Sequence, residues 1–224
     1  MDGALKPYKT LIRRASGEFI INRSRFIGHG APCASEEEAL AFLSEMRAAY
    51  KDATHNCYAY VIGTNKGIMR YSDDGEPGGT AGMPIMEVLK ARDVTNCAVV
   101  VTRYFGGILL GAGGLVRAYT KGAVTALEAS GVGVMHPTAT GLIDVPYPML
   151  SRFEYMLKSQ PVIVREKSFG ETVTFTLSVK SCDEEAFSRD LAGASDGRLE
   201  FLRMEEDYMP WEEGGEPDRE PGRK

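Results

Sequence analysis

None of the four cysteines, Cys33, Cys57, Cys97 and Cys182, forms a C-x-x-C pair with another. That excludes a zinc ribbon and argues against a disulfide scaffold, so free thiols are expected. No apolar run approaches the ~18–20 residues of a membrane helix. The apolar stretch that opens at Tyr104 is broken at Arg117 and is rich in glycine. From Met1 to Arg25 charges recur every few residues with no apolar h-region, so no secretory signal is expected. There is no G-x-S-x-G, no H-E-x-x-H, no G-K-[ST] and no complete G-x-G-x-x-G. No catalytic residue, metal or cofactor is therefore assigned. A broad basic surface is also missing. Residues 1–136 hold 15 basic and 13 acidic side chains, residues 137–203 hold 8 and 10, and residues 204–224 hold 3 and 8. The body is neutral, the acidity sits in a tail, and only a local basic patch remains open for nucleic acid.

The content of 43% hydrophobic and 25% charged residues fits a globular chain of one large or two small domains. Leu11 and Ile12, then Phe19 to Ile21, flank Ala15-Ser16-Gly17 and predict a hairpin. A third strand is expected over Arg25–Ala31. Ser35 with Glu38 fits a capping box for a helix from Glu36 to Tyr50. Strands are expected at Cys57–Ile62 and Ile68–Tyr71, and a helix at Pro84–Ala91. The run Cys97–Thr102 suits a strand buried on both faces, and a further helix ends at Ser130-Gly131. Beyond Val134–Pro137 the order becomes strand, helix, strand, strand, helix, strand (β-α-β-β-α-β), with a turn at Gly170-Glu171 and a last strand at Leu199–Glu205. The expected division is residues 1–135, residues 136–208, and a disordered acidic tail over residues 209–224.

Four groups of residues admit chemistry. A strand ending Arg103-Tyr104 feeds Gly106, Gly107, Gly113 and Gly114, and then a helix bearing Arg117 and Lys121 on one face. Such a loop cradles a phosphate with backbone N–H groups, or else the glycines let helix and sheet pack closely. Asp73, Asp74 and Glu76 either form an acidic site that holds Mg²⁺, or cap turns and pair with Arg70, Arg92 or Arg103. Arg23 and Arg25, near His55, Tyr58 and Tyr60, either meet a phosphate backbone or form a solvated turn beside core aromatics. His55 and Cys57 share a strand face, as a thiolate pair or as inert core.

The ordered set Gly82, Ile85, Met86, Leu89, Val94, Val100, Val101, Arg103, Tyr104, Phe105, Gly106, Gly107, Leu110 and Gly111, with the loop Asp73–Gly82 and His55–Tyr60, resembles the IMPACT family in its bacterial YigZ branch. The resemblance covers residues 5–205. It implies an α+β fold of two domains. The first is an α/β sandwich similar to the second domain of ribosomal small-subunit protein five; the second is ferredoxin-like. It further implies a cytoplasmic, translation-associated regulator without catalysis, whose partners are RNA, the ribosome or translation factors. Eukaryotic relatives compete for an activator of an initiation-factor kinase, through a chain of different domain composition. The alternative is an enzyme acting on a phosphorylated small molecule through the glycine loop and the Asp73, Asp74 and Glu76 loop.

Overall fold

The structure is a computed structural model that describes residues 5–211. The chain is mixed α/β and divides into two compact units. Of these residues, 8–133 form one, and 134–211 with 5–7 form the other.

In the unit of residues 8–133, β1 (Tyr8–Leu11), β2 (Ala15–Ile21) and β3 (Ser24–Pro32) precede α1 (Glu36–Ala49). Then come β4 (His55–Ile62), β5 (Ile68–Ser72), α2 (Gly82–Ala91), β6 (Cys97–Tyr104) and α3 (Gly111–Ser130). Five strands form an antiparallel sheet in the order β2-β3-β6-β4-β5. Strand β6 is central because it is apolar on both faces. Its Val99 and Val101 pack with α2 and α3, while Ala98 and Val100 pack with Phe42 and Leu43 of α1. Ser35 caps α1 by accepting from the Glu38 N–H, and Glu38 accepts in turn from Ala34.

The expected hairpin at Ala15-Ser16-Gly17 is corrected. These residues lie inside β2, and the turn is Asn22-Arg23, with φ of 45° and 64°. Gly17 serves packing instead, since a Cβ there would stand 2.6 Å from Thr125 of α3. The same holds at Gly28, where a Cβ would overlap the carbonyl oxygen of Gly122. Helix α3 thus lies on the sheet at backbone contact.

The other unit contains β7 (Val132–Val145), a 3₁₀ turn at Tyr147–Met149, α4 (Leu150–Leu157), β8 (Val162–Phe169), β9 (Val173–Lys180), α5 (Glu184–Ser195) and β10 (Leu202–Pro210). Its strands pair as β10-β7-β9-β8, all antiparallel, which is the ferredoxin-like arrangement. Ile143, Val145, Phe175 and Leu177 of the sheet bury against Phe153 of α4 and Phe187 and Leu191 of α5.

The last strand lies further along the chain than expected, and the tail does not begin at Met209. Met209 and Pro210 pair with His136 and Met135. Trp211 is only 6% exposed, its Nε1–H donates to Thr138 Oγ1 at 2.9 Å, and the Lys180 ammonium lies 5.2 Å from its ring centre. One large aromatic gives a Pro- and Gly-bordered segment enough apolar area to hold it in place. The rest of the expected tail, residues 212–224, lies outside the described residues. Among the described residues no helix is long and apolar enough to cross a membrane.

Candidate functional site

The acidic loop between β5 and α2 carries left-handed residues at Asp74, Gly75 and Gly79, with φ of 44°, 87° and 77°. These reversals send its three carboxylates in different directions. Helix α2 has no side-chain cap from its own N-cap residue, Ala81. Asp73 supplies one from outside, accepting from Ala81 N at 3.0 Å, Gly82 N at 2.8 Å and Gly79 N at 2.8 Å. Asp74 accepts from the Asn56 N–H at 2.7 Å. Glu76 turns into the protein. The expected acidic site is therefore corrected: the three carboxylates diverge, and each is held by its own protein donors.

Glu76 finds Arg103, the penultimate residue of β6, whose side chain points to the α3 side of the sheet. Both side chains are buried, at 3% and 6% exposure. Glu76 Oε1 accepts from Arg103 Nη1 at 2.7 Å and from the Tyr119 hydroxyl at 2.7 Å. Two donors on one oxygen offset much of the desolvation of a buried carboxylate. The guanidinium also lies 5.5 Å from the Phe26 ring centre and 5.4 Å from that of Phe105. Its Nε, however, is buried with no hydrogen-bond partner. The reading of Arg103 as a freely presented anion ligand is thus corrected, because its charge is committed to Glu76.

His55 donates from Nδ1 to the Asp74 carbonyl at 2.8 Å, which leaves Nε2 at 3.8 Å from Glu76 Oε2. The Cys57 thiol donates to the Asp73 carbonyl at 3.0 Å, and burial pushes its pKa up. It stays a thiol, so the alternative of a His55–Cys57 thiolate pair is not realised. Burial, followed by the neighbouring Cys57 and Glu76, likewise keeps the Tyr119 hydroxyl protonated and donating.

This cluster borders a cleft of about 410 Å³. Thr54, His55, Glu76 and Arg103 supply its polar part. Pro77, Phe105, Leu109, Leu110 and Leu115 supply its apolar walls, and Gly111 and Ala112 at the start of α3 complete it. The glycines divide between the two roles open to them. A Cβ on Gly106 would overlap the Arg23 backbone, and the Gly106 N–H donates to Ser24 Oγ at 3.2 Å, so Gly106 is a close-packing glycine with no donor left for an anion. Gly107 and Gly111 have φ of 83° and 68°, which lets the chain turn into α3. Gly113 and Gly114 lie within the first turn of α3 rather than in the loop. That turn has no side-chain cap, so its N–H groups are open.

The basic residues do not all converge. Helix α3 runs with Gly122 at Gly28 and Tyr119 against Phe26, so its first two turns point toward the Asn22-Arg23 turn. Arg117 is exposed there, and the Lys121 ammonium lies 4.6 Å from the Phe19 ring centre. Among the described residues Arg23, Arg117 and Lys121 enter no ion pair. Arg25 is on the opposite face of the sheet. Its Nε donates to Glu18 at 3.0 Å and its guanidinium lies 5.9 Å from the Tyr104 ring centre. The Tyr104 hydroxyl donates to Asp52 at 3.0 Å. Arg25 therefore does not share a face with the α3 cations.

The roles of Thr54, Phe105 and Tyr119 in this site are not read from the sequence. Tyr119 fits the apolar spacing of α3, and its polar partner stands 43 positions away.

A family model described as the Impact N-terminal domain matches residues 22–127, and one described as a domain of unknown function (DUF1949) matches residues 143–198. The IMPACT family member YvyE of Bacillus subtilis is 38% identical over 211 residues, covering 92% of this chain and 94% of that protein. The IMPACT family member YigZ of Escherichia coli is 36% identical over 188 residues, covering 83% and 92%. Protein IMPACT of Xenopus laevis is 42% identical over 102 residues, 42% of this chain and 32% of that protein. A crystal structure titled as that of an hypothetical protein superposes with a TM-score of 0.58 at 32% identity, covering 90% of this chain and 98% of that one. The cleft and its buried ion pair are thus features of a chain that belongs to the IMPACT family.

Proposed function

We propose that the protein is a cytoplasmic, translation-associated regulatory protein that binds RNA or the ribosome without catalysis, through the α3 side of the unit formed by residues 8–133. The observation that carries this reading is that Arg117 and Lys121, exposed and four residues apart on α3, enter no ion pair among the described residues, on a helix whose first turns run toward the turn holding Arg23. A phosphodiester backbone is the polymer such a patch suits, because each contact releases counterions. Family membership supports a translation-related role, since the eukaryotic relatives are regulators of that kind. The enzymatic alternative is weakened by the carboxylates: Asp73 and Asp74 serve backbone N–H groups and Glu76 serves Arg103 and Tyr119, so none is poised as a base.

Titration of single-stranded RNA at several salt concentrations tests the reading. Replacing Arg117 and Lys121 together by Ala lowers affinity across sequences and reduces the salt slope by about 0.7 per lost phosphate contact. Arg25→Ala, on the other sheet face, leaves both unchanged. Absence of RNA binding by the wild-type chain at low salt removes direct nucleic-acid contact and leaves a protein of the translation machinery as the partner.

A further inference from the structure

Gly17 of β2 faces Thr125 of α3, so its neighbour Ser16 faces the other side of the sheet, where α1 lies. There a second cleft, of about 250 Å³, opens between β2, β3 and α1. Phe42 and Met46 of α1, with Tyr50 just beyond its end, give it apolar walls, and Ser16 and His29 line it from the sheet. These two residues stand opposite one another in the β2–β3 register, and Ser16 Oγ lies 2.7 Å from His29 Nδ1. Ser16 is exposed, whereas His29 is buried. The groups behind the ring fix its proton. Asn56 donates from its amide nitrogen to the Tyr50 carbonyl, which makes Oδ1 its acceptor. Thr102 gives its hydroxyl proton to that Oδ1, so the Thr102 oxygen accepts from His29 Nε2–H at 3.3 Å. Nδ1 is then the bare nitrogen, and it accepts the Ser16 proton. The Tyr50 ring, centred 4.7 Å from the imidazole, closes one side of it. A hydroxyl bonded to a buried imidazole whose far nitrogen is held by a third group is the arrangement that activates a nucleophilic serine. The hydroxyl itself opens on the cleft, where an electrophile reaches it.

We propose that Ser16 is an acyl-acceptor site, which takes a short acyl group from a thioester or an aryl ester. Ser16 Oγ forms a bond to the carbonyl carbon, its proton passes to His29 Nδ1, and the carbonyl pair becomes an oxyanion. When that pair returns, the bond to the leaving sulfur or oxygen breaks and the His29 proton goes to the leaving group. The donor and the two side chains supply every atom. Arg14, at the same cleft, spends one N–H on Glu45 at 2.8 Å and keeps others for the oxyanion. Strand β2 is an edge strand, so alternate backbone N–H groups also point away from the sheet. Burial holds the imidazole neutral, with a pKa lowered to about 4, so Nδ1 accepts a proton at neutral pH. So weak a base confines the reaction to donors with good leaving groups. The volume suits a short acyl chain, being below the range of larger ligands. The transfer is stoichiometric, a modification of this chain rather than turnover, and it does not rest on the RNA-binding reading.

Acetylation of the full chain by p-nitrophenyl acetate tests this directly. Released p-nitrophenolate gives the rate, and mass spectrometry of acid-quenched, digested protein locates the acetyl group. A single acetyl group is expected on Ser16. Ser16→Ala, at an exposed position, removes it. His29→Gln lowers its rate by about a hundredfold or more, the usual contribution of a general base. The pH profile of the wild-type chain supplies a readout that needs no variant. Acetylation of Ser16 is level from about pH 5.5 to about pH 8, because His29 stays neutral across that range. The titratable groups that share the cleft with His29 are Arg14, Glu45 and Tyr50, and the first two are paired with each other. The exposed Cys182 thiol and the lysines instead react about tenfold faster per pH unit over this range, as they lose their protons. Absence of an acetyl group on Ser16 overturns the proposal. So does a Ser16 rate that climbs steadily with pH, or one that keeps full speed in folded His29→Gln.

Discussion

The two units solve the same packing problem with different chemistry. In residues 134–211 the core is a plain apolar layer: Ile143, Phe175 and Leu177 against Phe153 and Phe187, with no charged side chain inside. In residues 8–133 the apolar core is interrupted by Glu76, Arg103, His29, Asn56 and Thr102, all less than a tenth exposed. A folding unit does not need a buried ion pair, and apolar residues of similar volume are often at least as stable. Buried polar groups occur in both units, Thr138, Ser178 and Ser195 in the second, but buried charged groups among the described residues occur only in the first, and they mark it as the one whose interior does more than fold.

The sharpest way to break this comparison is to remove half of the ion pair. Glu76→Ala leaves Arg103 buried and unpaired and is expected to cost about 3–5 kcal/mol in urea unfolding. A loss below about 1 kcal/mol means that water or rearrangement hydrates Arg103, and the contrast between the interiors is then smaller than drawn. In the other unit the largest expected single effect is apolar. Trp211→Ala is expected to cost about 3 kcal/mol, because it empties a buried indole site and frees Thr138. No change would return residues 209–211 to the tail.

A third test uses pH. His29 is 2% exposed and burial lowers its pKa to about 4. The Thr102 hydroxyl donates to Asn56 Oδ1 at 2.7 Å, so it accepts from His29 Nε2–H, and Nδ1 accepts from Ser16 at 2.7 Å. The folded protein thus holds a neutral imidazole. Its contribution is full above the unfolded value near pH 6.5 and is lost as pH falls toward 4, amounting to about 3 kcal/mol. His29→Gln should flatten that part of the stability–pH curve. A curve that keeps its slope assigns the loss to other groups. The smallest expected effect is at Gly107, where φ is 83° and a valine strains the turn into α3 by about 1–3 kcal/mol. A neutral result would show that the loop relaxes freely.

Much of the fold is legible in the sequence because its signals are local. The Ser35 cap, the apolar run of β6, the end of α3 at Gly131 and the β-α-β-β-α-β order each depend on residues within a few positions of one another. The misread hairpin shows the limit. Gly17 looks like a turn residue, yet it is glycine because Thr125 lies against it from far along the chain. The site was legible as a set of residues rather than as an arrangement. Asp73, Asp74 and Glu76 are close in sequence, but left-handed backbone at Asp74 and Gly75 sends them to a helix cap, a strand N–H and a buried arginine. Arg103 and Glu76 stand 27 positions apart, and no periodicity joins them.

The contact between Gly28 and Gly122 acts as a keyed joint. Neither position has room for a Cβ, since one on Gly122 would also press within 2.6 Å of Val101. The two glycines therefore set how closely helix α3 lies on the sheet. A helix rises ~1.5 Å per residue, so Gly122 sets the position of Ala112 from ~15 Å away. The height of α3 at the mouth of the cleft is thus set by a contact located outside it. A single methyl group added at Gly122 would detune the cleft without touching any residue that lines it, and such a change would be read in binding assays as a defect at the site itself.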